Sequence, residues 1–441
     1  MDPRTHAGLS RTSRLINEQF FGGAADEERI SLVLPRIAIG LTADAPNVRR
    51  SAAQTLIVTL ATLIARMGIG VRLDCPDEAL VSPQPPIRGA GLVSGLVDLG
   101  ADLIPGVPIA SKGASSPVVT FVIGDAPCAQ PGALRLTGGD WDLALEPAVT
   151  RGRPWEAELP FGAFACAAAA AGEGLRAALP HLAEFVGAEL VADAHRLETD
   201  RAIRLDLRSW FASRIVTEIG AVDAISGGAI TSAALYALLR VPRLEGAIRV
   251  IEGEALDLSN VNRYMLSRAS LDGDPKTQML EAHSCPRLRI TGVPVRYDAD
   301  TAATVGPLAA RVLVGVDHIP SRWLVQQHAP GWVAVGETQS LDALASAHRS
   351  GEPCAGCLHL REPDADELVP TISFVSFWSG LMLALELLTE AADANADQQA
   401  LFGWPFGYEG PHLMRLGVAA QPACPVGCVA SRARAAGRRP R

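Results

Sequence analysis

Lysine is nearly missing from this chain: its 441 residues hold two, Lys112 and Lys276, and every other basic side chain is arginine. Aromatics are sparse at 5%, and no uninterrupted apolar run reaches the ~20 residues that cross a bilayer as a helix. The most apolar tracts, residues 56–71 and 373–388, are broken by Thr, Arg, Ser, Gly or Glu and read as buried helices. The opening MDPRTHAGLSRTSRLINEQFF mixes charges of both signs without a signal-like apolar core, so a cytoplasmic protein with no membrane partner is expected. Basic excess is lacking as well. A net charge of −9 excludes a general nucleic-acid binder, whose affinity needs a basic surface. At 48% hydrophobic and 20% charged the composition is globular, and the length implies roughly two to three domains.

What is present repeats one grammar. RIAIGL reads as a strand, residues 49–66 as an apolar-periodic helix and GVRLD as a second strand, followed by a Pro/Gly-rich stretch, strands VVTFVIG and ALRLTG, and an Ala-rich helix over 160–187. From about residue 212 the order begins again. AVDAIS is a strand, Gly227-Gly228 a turn, 231–239 a helix, AIRVIEG a strand and 274–283 a helix, with further strands at 287–291, 311–316 and 331–335. Two Rossmann-like α/β domains in tandem are expected, residues 1–205 and 212–430, each a mostly parallel sheet flanked by helices. The tail 431–441, with Arg432, Arg434, Arg438, Arg439 and Arg441, reads as a solvated basic end.

The chemistry concentrates in the second half. Ser226-Gly227-Gly228-Ala229-Ile230-Thr231 keeps the middle glycine of a G-x-G-x-x-G turn, with Ser226 and Thr231 in the other two places; it fits a phosphate cradle and also a plain tight turn. Glu252 ends the next strand, where a carboxylate accepts hydrogen bonds from ribose hydroxyls. Asn260 and Arg263 are three apart, hence on one face of a helical turn, and Lys276 opens the following helix as a compact cation suited to phosphate, or as an ordinary helix start. Asp317 ends the strand ARVLVGV, a position from which a carboxylate can hold Mg²⁺. Cys354/Cys357 and Cys424/Cys428 pair off among eight cysteines; two close pairs in a reducing compartment fit one structural Zn²⁺ better than disulfides.

GEALDLSNVNRYML, DGDPK, VGVDHIPSR and GEPCAGC together resemble the ThiF/MoeB superfamily, the ubiquitin-activating-enzyme-like adenylyltransferases. The pattern there runs D-x-D-x-V-x-x-S-N-L-x-R-Q, G-x-x-K, D-N-x-x-x-R and C-x-x-C twice; here the last pair has one residue more. The resemblance implies Glu252 at the ribose position, Asn260, Arg263 and Lys276 at phosphate, Asp317 at the magnesium-linked carboxylate, and ATP as substrate. The first half is similar to the family's inactive adenylation-like form, so a pseudo-dimer in one chain is implied, alone or as a homodimer. Arg11-Thr-Ser-Arg14 resembles the R-Y-S-R opening, which makes Arg14 a candidate phosphate contact from the opposite half.

No cysteine lies between Cys357 and Cys424, where thioester-forming members carry a nucleophile. Cys285, before Pro286, has nothing basic positioned to activate it and reads as packing. Adenylation of the C-terminal carboxylate of a ubiquitin-like protein or peptide is therefore expected, with the adenylate passing to a conjugating or sulfur-transfer partner. Two rivals remain: a scaffold that binds such a partner without ATP chemistry, and a nicotinamide-dependent oxidoreductase, against which Lys276, Asp317 and the cysteine pairs argue.

Overall fold

Parallel strands bury their faces under the helices that connect them, and in the second half Ala229–Leu238 and Ser373–Ala391 lie in the cluster on one face and Val325 of Ile319–His328 in the cluster on the other. The computed structural model describes residues 3–111, 116–149, 151–191, 200–211, 216–329, 331–361, 370–392, 399–407, 409–430 and 432. Lys112 and all tail arginines except Arg432 lie outside the described residues. The first sheet holds β1 Ala38–Ala43, β2 Gly70–Asp74, β3 Ile109–Ala110, β4 Thr120–Ile123, β5 Leu134–Gly138, β6 Asp142–Pro147 and β7 Ile203–Asp206, in the order β3-β2-β1-β4-β5-β6-β7. The second holds β8 Glu218–Ile225, β9 Glu245–Ile251, β10 Leu288–Val293, β11 Arg311–Val314, β12 Trp332–Gln339, β13 Asp342–Arg349, β14 Gln399–Trp404 and β15 His412–Gly417, in the order β10-β9-β8-β11-β12-β13-β14-β15.

Over seven strands the two orders are the same permutation, and the second sheet adds β15 at its end. In each sheet the first five strands pair in parallel and the rest continue antiparallel. The tandem α/β expectation therefore holds, with antiparallel extensions that the sequence reading omitted. Their strands mix polar with apolar positions, which gives a weak periodic signal.

Between the sheets lies a shared helical layer. Helices Ser51–Arg66 and Phe161–Val186 from the first half pack on Ala229–Leu238 and Ser373–Ala391 from the second, inside one continuous apolar core. Ser373–Ala391 is long and apolar enough to cross a membrane, yet 89% of its apolar window is buried within the fold. Gly380 lets two of these helices touch, since a Cβ there would come within 2.5 Å of the Ala233 Cβ and 2.6 Å of the Ile230 carbonyl.

Polar contacts also cross this seam. The Arg66 guanidinium is fully buried and donates to the carbonyls of Val261, Met265 (3.3 Å) and Ser267 (2.7 Å), and to the Ser267 hydroxyl at 3.3 Å. Burial lowers its pKa to about 9, so it stays charged at neutral pH and holds a loop of the second half from a helix of the first. Thr59 and Tyr236 hydroxyls meet at 2.9 Å, and the Ser373 hydroxyl donates to the Leu63 carbonyl at 2.8 Å. Removing a buried charged donor strands its acceptors, so Arg66→Met is expected to cost about 3 kcal/mol of unfolding free energy, read as a lower urea midpoint.

Candidate functional site

In open α/β sheets the crevice forms beyond the carboxyl ends of the strands, where the strand order reverses. In the second sheet that point lies between β8 and β11, and a cavity of ≈ 230 Å³ opens there. Its charged lining is Arg11, Glu252, Glu254, Arg263, Lys276, Arg296 and Asp317, with Ile225, Ile251, Tyr297 and Val316 forming an apolar wall. Cations and carboxylates face one solvent-open space.

The turn after β8 brings the first pieces together. Ser226 takes a left-handed φ of 81°, and its hydroxyl accepts from the Gly228 amide at 3.1 Å. The Glu252 carboxylate, from the end of β9, accepts the Gly227 amide at 2.8 Å, the Ser226 hydroxyl at 3.3 Å and the Glu254 amide at 2.9 Å. A carboxylate with about four acceptor sites keeps room for a ribose hydroxyl. The helix begins at Ala229 rather than Thr231, so the turn is shorter than its sequence implied.

Arg263 and Lys276 flank the Tyr264 ring, at 5.3 and 5.5 Å from its centroid. Arg263 donates to the Ser259 carbonyl and the Asn262 side-chain oxygen, both at 2.7 Å; burial brings its pKa down to about 10, still well above neutrality. Lys276 is buried, which works against its charge, but Tyr264, a 2.5 Å hydrogen bond to Glu254, and Glu252 outweigh burial and raise its pKa. Glu254 is held below the usual carboxylate range, first by that bond and then by the charges of Lys276, Arg296 and Arg11. The Glu254 carboxylate thus occupies ground where a ligand phosphate would find the same cations. Asp317 stands exposed on the far side, just past β11, and the buried Arg322 fixes the chain before it by donating to the Val316 carbonyl at 2.9 Å.

Three residues expected at the nucleotide lie outside the cavity lining: Gly227, whose amide Glu252 takes, Asn260 and Arg14. The Asn260 side chain accepts the Asp257 amide at 3.1 Å in a capping box over the 3₁₀ turn Leu258–Asn260, and it is not part of the cavity lining. Arg14 pairs with Glu18 at 2.7 Å, one turn along the same helix, and Arg11 is the arginine of Pro3–Phe20 that lines the cavity. The period of that helix held the clue. Gly8, Leu9, Thr12, Leu15 and Ile16 are buried, which puts Arg11 beside the packed stripe. Sequence reading also missed Arg296, Tyr297, Thr338, Thr371 and Ser376, whose only signal was proximity to strand or helix ends.

The first sheet has the equivalent crevice, and its own side chains fill it. Ala43 pairs with Ile123 as Ile225 pairs with Val314, and Thr42 pairs with Asp74 as Ala224 pairs with Val250. Counting on from these pairs sets Asp44 against Ser226, Ala45-Pro46 against the two glycines, Pro76 against Glu252 and Ala126 against Asp317. Asp44 accepts the Asn47 amide at 2.8 Å and its side-chain NH₂ at 2.9 Å, and also takes the Asp125 amide. Asn47 in turn accepts the amide of the buried Trp155 at 2.9 Å. A carboxylate stands where an anion would bind.

All four paired cysteines do converge. Cys354, Cys357, Cys424 and Cys428 place their sulfurs within 4.8 Å of one another, with Cys354 and Cys424 at 3.5 Å and Cys357 and Cys428 at 3.6 Å. Two small knuckles present them: the Cys357 amide donates to the Cys354 carbonyl at 2.8 Å and the Gly427 amide to the Cys424 carbonyl at 3.0 Å. Gly427, at φ 60°, is the additional residue of C-x-x-x-C, and the left-handed turn absorbs it. Four thiolates this close repel unless a cation lies among them, so the donor set fits a closed, structural Zn²⁺. Cys354→Ser is expected to weaken zinc binding by about 100-fold or more and to open the chain near residues 350–361 and 418–430 to protease, read by metal analysis and limited proteolysis.

No family model matches the chain. Among curated proteins, the uncharacterized protein y4jF of Sinorhizobium fredii (strain NBRC 101917 / NGR234) is 29% identical over 213 residues, covering 46% of this chain and only 39% of that relative. Among solved structures, E. coli MccB with ATP overlaps 47% of this chain and 66% of its own at 13% identity and a TM-score of 0.39. The Microcin C7 biosynthetic enzyme MccB in complex with N-formylated MccA overlaps 47% and 67% at 14% identity and the same TM-score of 0.39. PaaA overlaps 45% and 64% at 12% identity and a TM-score of 0.34. Superpositions this loose carry no argument about what the chain acts on.

Proposed function

We propose that this chain uses MgATP to adenylate the C-terminal carboxylate of a peptide or ubiquitin-like protein. Residues 212–430 would form the active half, and residues 1–205 an adenylation-like half that has lost its own site. One observation carries the reading: Arg11, Arg263 and Lys276 converge with Glu252 and Asp317 on an open crevice, while the matching crevice holds Asp44.

A C-terminal carboxylate is ionised at neutral pH, so its attack needs no general base. Its oxygen bonds to the α-phosphorus of ATP, the bond to the bridging oxygen breaks, and an acyl-adenylate and pyrophosphate result. What the protein must supply is alignment and charge neutralisation. Glu252 accepts the ribose hydroxyls. Lys276 exchanges Glu254 for a phosphate oxygen, and Arg263 and Arg11 neutralise the pyrophosphate from two sides. Asp317 offers a hard, exposed oxygen donor for Mg²⁺, which when bound offsets charge on the leaving group. The cysteine cluster would hold Zn²⁺ with no open position, away from the reaction. The adenylate then passes to a partner's thiol, amine or sulfur donor, because no cysteine follows Cys357 before Cys424.

A scaffold without ATP chemistry remains the second reading, favoured by the side chain at Ser226 and the strained φ it adopts in the phosphate turn. ATP–pyrophosphate exchange separates the two. With a panel of peptides and small proteins ending in a free carboxylate, exchange is expected for at least one. It should vanish when that C-terminus is amidated and fall roughly 100-fold or more in Lys276→Ala. Partner binding with no exchange at all would establish the scaffold instead.

A further inference from the structure

One buried amide ties three parts of the cavity wall together. Asn262 is fully buried, and its side-chain oxygen accepts from Arg263 at 2.7 Å. Its NH₂ donates to the Thr12 hydroxyl at 2.9 Å and to the Thr371 carbonyl at 3.3 Å. The orientation is forced, because a guanidinium offers only donors and a carbonyl only acceptance. Each partner adjoins the cavity. Thr12 follows Arg11 on helix Pro3–Phe20, Arg263 lines the cavity itself, and Thr371 lines it with Ser376, their hydroxyls 3.0 Å apart.

We propose that Asn262 and Thr12 form a positioning latch that sets Arg11, from the first half, against Arg263, from the second, so that both cations address the same phosphates. The inference rests on the nucleotide-site reading above. Neither latch residue touches the substrate. Thr12 is fully buried, and Asn262 does not line the cavity. Both act through the arginines they hold. Arg66 anchors the same loop from beneath, through the carbonyls of Val261, Met265 and Ser267, so the latch governs where the Arg263 head group lies rather than whether the loop is formed. A misplacement of an ångström at such a site costs rate without unfolding anything.

Thr12→Val keeps shape and removes the hydroxyl. It is expected to lower kcat for pyrophosphate exchange about tenfold and to raise KM for ATP by only about threefold, and Thr12→Ser should restore the rate. The deciding comparison is a double-mutant cycle with Arg11→Ala. If the latch works through Arg11, Thr12→Val costs little more once Arg11 is gone. A loss of the same size in both backgrounds, or no loss in the wild-type background, overturns the latch. The same cycle is read in equilibrium MgATP binding, where Thr12→Val should weaken affinity about threefold only when Arg11 is present. Coupled binding without exchange would sink adenylation and leave the latch standing, whereas a wild-type chain that binds no MgATP sinks both.

Discussion

The buried guanidinium of Arg66 is the contact on which the rest of the molecule depends. A charge taken wholly out of water is costly unless its donors are matched, and here both terminal nitrogens meet carbonyls of a loop almost two hundred residues away in sequence, with Nε left without a partner among the described residues. That loop carries Arg263 and Tyr264. The first half therefore shapes the cavity of the second without sharing its strands. The Thr59–Tyr236 hydroxyl pair and the Ser373 hydroxyl on the Leu63 carbonyl close the same seam.

Equal topology with unequal chemistry follows from a few side chains. Both sheets reverse their strand order at the same place, so both generate a crevice with backbone amides at its lip. In the second sheet the lip is Ser226-Gly227-Gly228, and cations converge from three directions. In the first, Asp44 satisfies those amides itself, Pro76 leaves no acceptor at the strand end, and the segment bearing Trp155 closes over the top. The first crevice is packing, and the half that owns it contributes Arg11 to the cavity of the other.

Much of this was legible in the sequence because it is local. Strands buried on both faces, the helix after each, and the carboxylates that end β9 and β11 follow from apolar runs and what punctuates them. Lys276 stood out through the rarity of lysine. The cysteine pairs declared their cluster by spacing, and the one irregular spacing found its explanation in the φ of Gly427. What stayed hidden is long-range. Asn260 serves as a cap because the chain turns at Asp257, and Arg11 rather than Arg14 faces the cavity because the helix rotates its apolar stripe onto the 258–261 turn. Periodicity along one element marks its packed side, as it does beside Arg11, but does not announce which neighbour will meet it.

On the proposed function, a duplicated fold retains one nucleotide site, walled by the second sheet and completed by the first half. The most direct measurement is the stoichiometry of MgATP bound by the intact chain, taken by equilibrium dialysis at saturating nucleotide. One nucleotide per chain is predicted. Two per chain would mean that Asp44 does not close the first crevice, and none would mean that the cations around Glu254 serve a different ligand.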